Sequence, residues 1–238
     1  MTKRFFIKIF LYESKRLIIN KFFLLILLVL LFYGGLVLRG VTVFGVSHTA
    51  PFSPWSFGDY LSRMLPLLVL AETVFLKFFT SGETRRAAPV IDAVQTRPAL
   101  YGAARCAAVI AAVCLTALAC ALPAAVVYAV YFDRYDLSEL LLVAALTLPP
   151  PLMFTLGIGR FIGKFRPRLV YALAAVPFVL AALPLSGAWG ILNGGFFTEY
   201  PLTLGTLDPA FSAPVPVVLV QCAVFACGAA LVKFKIKN

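Results

Sequence analysis

The 238-residue sequence holds one histidine, His48, two tryptophans and only 13% charged residues. Its five cysteines (Cys106, Cys114, Cys120, Cys222, Cys227) all stand in apolar runs, and no two form a C-x-x-C pair. One imidazole and no paired thiols give neither a metal cage nor a disulfide framework, so the cysteines read as small, soft hydrophobes on helices. H-E-x-x-H is absent, and Ser186-Gly187 has no histidine within reach to act as its base. The stretch GIGRFIGKF, Gly157 to Phe165, looks at first like a phosphate loop. That motif needs its first glycine at position 158, where Ile158 stands, and a hydroxyl residue where Phe165 stands. Neither a nucleotide site nor catalysis is expected in this chain.

Polar surface is scarce as well. With 62% hydrophobic residues, 22 of them Phe, and a mean hydropathy of +0.96, the chain lies well above the roughly 45–50% apolar usage of soluble domains. It reads as an integral membrane protein. About 20 apolar residues span a bilayer, and six segments qualify: 22–38, 57–79, 105–131, 137–158, 169–191 and 215–234. The first follows a basic start but is longer than a signal h-region and has no small-x-small cleavage site, so it is expected to stay as an anchor.

The net charge of +11 is one-sided along the chain. Segments 1–21, 77–105, 160–168 and 233–238 carry 6, 5, 4 and 3 basic residues, 18 of the 21 in total; only Arg39, Arg63 and Arg134 fall at the opposite ends of the spans. Asp59, Asp133, Asp136, Glu139, Glu199 and Asp208 share that opposite side. The bias predicts cytoplasmic N- and C-termini. It also accounts for the charge through anionic lipid rather than nucleic acid. The expected fold is an all-α membrane protein: one transmembrane domain over 1–238, six transmembrane helices, both ends inside.

Residues 1–21 mix both residue classes. At 100° per residue Arg4, Lys8 and Lys15 share one narrow face while Phe6, Phe10 and Leu17 fall on another. The segment reads as an amphipathic helix lying along the inner leaflet, or more simply as a topology signal. Glu72 lies deep in the second span, where a carboxylate costs about 2.5–3.5 kcal/mol. It is either a residue of a translocation path or a structural hydrogen-bonding group. Pro66, Pro123, Pro149 to Pro151, Pro177 and Pro184 interrupt four spans, either as kinks around mobile regions or as prolines that membrane helices tolerate. Segment 160–168 reads as a tight inner turn. The long outer loops 38–59 and 192–214, rich in Gly, Pro and aromatics, are expected to lie at the interface.

One polar bracket, SGETRRAAPVIDAVQTRPALYGAAR (81–105), carries six charges between two apolar runs. Val90, Ile91 and Val94 recur at helical spacing, Pro89 stands in the first turn and Arg97-Pro98 closes the run. This predicts a short amphipathic helix at the inner face, suited to a groove on another protein.

A Y-E-x-x-R-like segment (Tyr12, Glu13, Arg16) precedes six spans with both ends inside. After span 2 come Arg85-Arg86, Val90 to Val94, Thr96-Arg97-Pro98 and Leu100-Tyr101-Gly102-Ala103. This pattern resembles the type-2 ABC transporter permeases, the exporter-type membrane subunits. It departs from them in placing Pro98 after the Thr-Arg corner and in its modest first outer loop. The resemblance implies that 81–104 is a coupling loop docking a separate ATPase subunit. Glu83, Arg85, Arg86, Val90, Ile91, Asp92, Val94 and Arg97 would form the interface, with Arg166 and Arg168 in a second contact. Residues 3–20 would be the connecting helix, with Arg4, Lys8, Glu13, Lys15 and Arg16, and 192–214 an outer hairpin. It further implies two permease and two ATPase chains in a bacterial plasma membrane. ATP and magnesium would then be held by the partner, with no cofactor in this chain. The exported substrate would be hydrophobic or amphipathic: a peptide, lipid or drug. The competing expectation is a membrane scaffold that docks a soluble partner and transports nothing.

Overall fold

The computed structural model describes residues 2–42, 44–46, 48–80, 98–132 and 138–233. Among these residues the chain is helical and forms no strand. The helices are α1 (Thr2–Ile18), α2 (Lys21–Val37, continued by a π-type turn Leu38–Thr42), α3 (Pro54–Thr80) and α4 (Pro98–Phe132), followed by α5 (Ser138–Thr147) and α6 (Pro149–Phe165). Then come α7 (Val170–Leu173), α8 (Val176–Ala182), α9 (Gly195–Thr203) and α10 (Val215–Lys233), with 3-10 turns at Pro167–Leu169 and Gly187–Ile191.

Among the described residues four segments are long and apolar enough to cross a membrane: Lys21–Val41, Leu100–Tyr131, Ser138–Gly163 and Val215–Val232. The chain is therefore a membrane-embedded helical protein by length and composition. Their outward residues are large and apolar, for example Leu24, Leu28 and Phe32 on α2 and Leu118, Leu122 and Val126 on α4. In lipid such a face carries no penalty, which is why these helices need little burial.

The segment expected at 57–79 is a 27-residue helix, α3, yet it is not among the four. It is the hub of the bundle. Trp55, Tyr60, Leu61, Met64, Leu68 and Phe75 are fully buried, as are the polar Ser56, Asp59, Ser62 and Glu72. Surrounding helices shield these polar groups from lipid, so α3 can carry them where the outer helices cannot. Hydroxyls tie it to α4: Tyr60 Oη donates to Cys120 O at 2.8 Å, Tyr128 Oη lies 3.2 Å from Ser56 Oγ, and Tyr128 Oη donates at 3.1 Å to Ser53 O, just before the helix.

One expected span is interrupted and another needs correction. The segment 137–158 breaks at Leu148, because Pro149 to Pro151 bring three residues without N–H groups. Leu148 N to Ala144 O (3.0 Å) and Leu152 N to Leu148 O (3.3 Å) carry the ladder across the break. The helix then runs on to Phe165, so most of the inner turn expected at 160–168 is helical and the turn itself begins at Arg166. The segment 169–191 is not one helix. It is α7, α8, an extended stretch from Leu183 and a 3-10 turn. Asn193 closes that gap: its Nδ2 donates to Leu183 O at 2.8 Å and to Leu185 O at 3.4 Å, satisfying carbonyls a helix would have used.

The long outer segment 192–214 is more structured than an interfacial loop. It contains α9, whose Phe196 and Phe197 are buried. Trp55 packs against Phe196, Tyr200 and Phe211 with ring centroids 6.0, 5.9 and 4.9 Å apart. The two long loops meet at this end: Asp208 N donates to His48 O at 3.0 Å, Ala50 N to Asp208 Oδ1 at 3.0 Å and Trp55 Nε1 to Pro209 O at 2.8 Å.

Candidate functional site

The far end of the bundle holds a buried polar junction. Asn20 makes the elbow that creates it, its Oδ1 capping α2 by accepting from Phe22 N at 3.0 Å. The turn folds α1 back against α4, and the amphipathic pattern decides which face docks. Glu13, Ser14 and Leu17 are buried, while Ile7, Lys8, Leu11, Tyr12, Lys15 and Arg16 stay exposed.

Tyr101 and Arg105, one helical turn apart on α4, both reach Glu13. Tyr101 Oη donates to Glu13 Oε1 at 3.1 Å, and Arg105 Nε lies 3.7 Å from the same oxygen, beneath a carboxylate that is only 3% exposed. Arg105 also stacks on the Tyr101 ring, 5.4 Å from its centroid. Arg16 approaches Oε2 at 3.9 Å from the exposed side and contributes little there. At the next residue of α4, Cys106 Sγ accepts from Arg160 of α6. Lys77, at the end of α3, sits 5.3 Å above the Tyr171 ring.

Of the expected connecting-helix residues, Glu13 and Arg16 are therefore in the junction, and Lys8 and Lys15 face outward. The side chain of Arg4 lies outside the described residues. Arg166 and Arg168 are exposed at the turn after α6. Glu83, Arg85, Arg86, Val90, Ile91, Asp92, Val94 and Arg97, and with them the expected coupling helix, lie outside the described residues. The partners of Glu13, namely Tyr101 and Arg105, escaped sequence reasoning. Their signal is an i,i+4 Tyr–Arg pair at the head of an apolar run, meaningful only once α1 is known to pack there.

Glu72 is 1% exposed, and its Oε2 has no hydrogen-bond partner among the described residues. It lines neither of the two clefts that follow. One, of about 780 Å³, opens between α3, α6, α8 and α10, lined by Val69, Phe154, Pro177, Trp189 and Val224 among others. Its volume falls within the roughly 300–1,000 Å³ of small-molecule sites. It holds no charge, and its polar members are already used: Gln221 Nε2 donates to Ala188 O at 3.1 Å and Thr155 Oγ1 to Pro151 O at 2.9 Å. The other, of about 660 Å³, lies on the opposite side of α8, between α2 and α3, and is bordered by Arg63.

No family model, curated protein or solved structure matches the chain.

Proposed function

We propose that the chain is the membrane-spanning subunit of an ATP-driven exporter of the ABC type. It crosses the bilayer six times with both termini inside and moves a hydrophobic or amphipathic substrate. The observation that carries this reading is the Glu13 junction. A helix with one charged face is fixed by a buried carboxylate to the first turns of α4, immediately after the charged 81–97 segment. A soluble partner pressing on that segment would move α1 and α4 as one body, because parting them strands a buried charge. The uncharged 780 Å³ cleft suits an apolar cargo. ATP and magnesium belong to the partner, and a second permease chain completes the unit.

The test is co-purification. Tagged chain extracted from its own membranes should bring down an ATPase, and Asp92→Arg or Arg97→Glu should release it. Complexes that never contain an ATPase would end the transporter reading. Co-purification without ATP-dependent substrate movement would favour the scaffold.

A further inference from the structure

We propose that the cleft between α2, α3 and α8 binds a membrane phospholipid, with Arg63 holding the phosphate and the walls of α2 and α8 holding an acyl chain. Arg63 sits within a bundle helix, where a guanidinium without a partner is costly. Its Nε donates to Asp59 Oδ2 at 2.9 Å, an i,i+4 pair in which the carboxylate is 2% exposed and the arginine 50%. Asp59 is held in place from behind: Gly194 has φ 84, and a Cβ there would strike Asp59 Oδ1. The carboxylate therefore takes up only one edge of the guanidinium. Arg63 borders the cleft, and its two terminal nitrogens make no hydrogen bond among the described residues. A planar fork with one free edge matches two oxygens of a phosphate diester.

Geometry places an acyl chain below that phosphate. Helical side chains lean toward the N-terminus of their helix, so Arg63 extends toward the end where the two long loops meet. Gly34 of α2 stands level with Tyr60 and Met64 of α3. The helices are antiparallel, so Leu28, six residues earlier, lies about 9 Å deeper. Leu28 and Phe32 from α2, with Phe178 and Ala181 from α8, thus continue the cleft as an apolar trough away from the charge. Charge at one end and hydrocarbon below it is the shape of a phospholipid, not of a free anion. The inference requires only that the bundle sits in a bilayer, and it stands or falls separately from the transporter reading.

Native mass spectrometry of the full purified chain tests it, with three probes: phosphatidylglycerol, diacylglycerol with the same acyl chains, and glycerol phosphate. Wild type should retain one phosphatidylglycerol at least about tenfold better than either other probe, the scale of one charge-assisted contact. The pair Asp59→Asn/Arg63→Gln, which leaves no carboxylate stranded, should lose that preference. Ala181→Trp, which fills the trough without touching the ion pair, should lose it too and decides the matter if the double variant does not fold. Equal retention of diacylglycerol, equal retention of glycerol phosphate, or wild-type retention by Ala181→Trp would overturn the proposal. ATPase co-purification should be unchanged in every variant.

Discussion

A carboxylate buried in a membrane protein is stable only with compensation, and of the three buried among the described residues, Glu13 and Glu72 differ in kind. Glu13 accepts a hydrogen bond from Tyr101 and lies 3.7 Å from Arg105, so removing this buried carboxylate should cost about 1.5–3 kcal/mol. Thermal unfolding in detergent should fall by on the order of 10 °C for Glu13→Ala. Tyr101→Phe, which removes one hydrogen bond and keeps the ring under Arg105, should cost only about 1 kcal/mol. Equal losses would mean that the ion pair contributes nothing. Glu72 Oε2, like Glu13 Oε2, accepts no hydrogen bond among the described residues, but Glu13 has Tyr101 on its other oxygen and arginines within 4 Å. Glu72→Gln should therefore leave folding and ATPase binding intact and change transport or substrate-stimulated ATPase rates. Wild-type kinetics would remove it from the transport path. Sequence alone singled out both residues, by depth for Glu72 and by motif for Glu13. It could not reveal the partner of Glu13, because Tyr101 lies 88 residues away.

Helices in lipid associate through close packing of small residues rather than by escaping water. The most extensive helix contact here, between α6 and α10, is built that way. A Cβ on Gly157 would strike Gly228 O, and one on Gly228 would stand 2.5 Å from Met153 O, so neither backbone can yield. Gly228→Val should force the helices apart and cost roughly 1–3 kcal/mol, read as a lower unfolding temperature. Gly205→Val, where a Cβ meets open space, is no fair control because its φ is 69; Gly40→Val, equally open and without that φ, is the proper one. The opposite regime holds for α8, which buries no residue and separates the two clefts. Its amides should exchange with deuterium faster than those of α3. Legibility follows the same division. The spans at 22–38, 105–131 and 215–234 were readable because an unbroken apolar run has one stable form in lipid. The segment 169–191 was not, because hydropathy measures transfer and not continuity; the Asn193 side chain that replaces its missing hydrogen bonds lies beyond the segment's end.

Across the whole molecule the two ends differ in charge as well as in structure. At the α1 end stand Lys8, Lys15, Arg16, Lys77, Arg105, Arg160, Arg166 and Arg168, with Glu13 beside them. At the other end Asp208 joins the two long loops and Asp59 pairs with Arg63. The hub helix α3, 27 residues or about 40 Å long, separates them by more than a hydrocarbon core of about 30 Å. Loops rich in Lys and Arg stay on the cytoplasmic side, so the α1 end should face inward. Cysteine labelling decides this. With the five native cysteines replaced, Leu207→Cys at the loop end, 84% exposed, should react with an impermeant maleimide in intact cells. Lys15→Cys and Arg168→Cys, exposed at the other end, should react only after lysis. The reverse pattern would turn the molecule over and place the 81–97 segment where no cytoplasmic ATPase can reach it. Labelling of all three in intact cells would mean that the bundle does not span the bilayer, and both the transporter and the phospholipid assignments would fall with it.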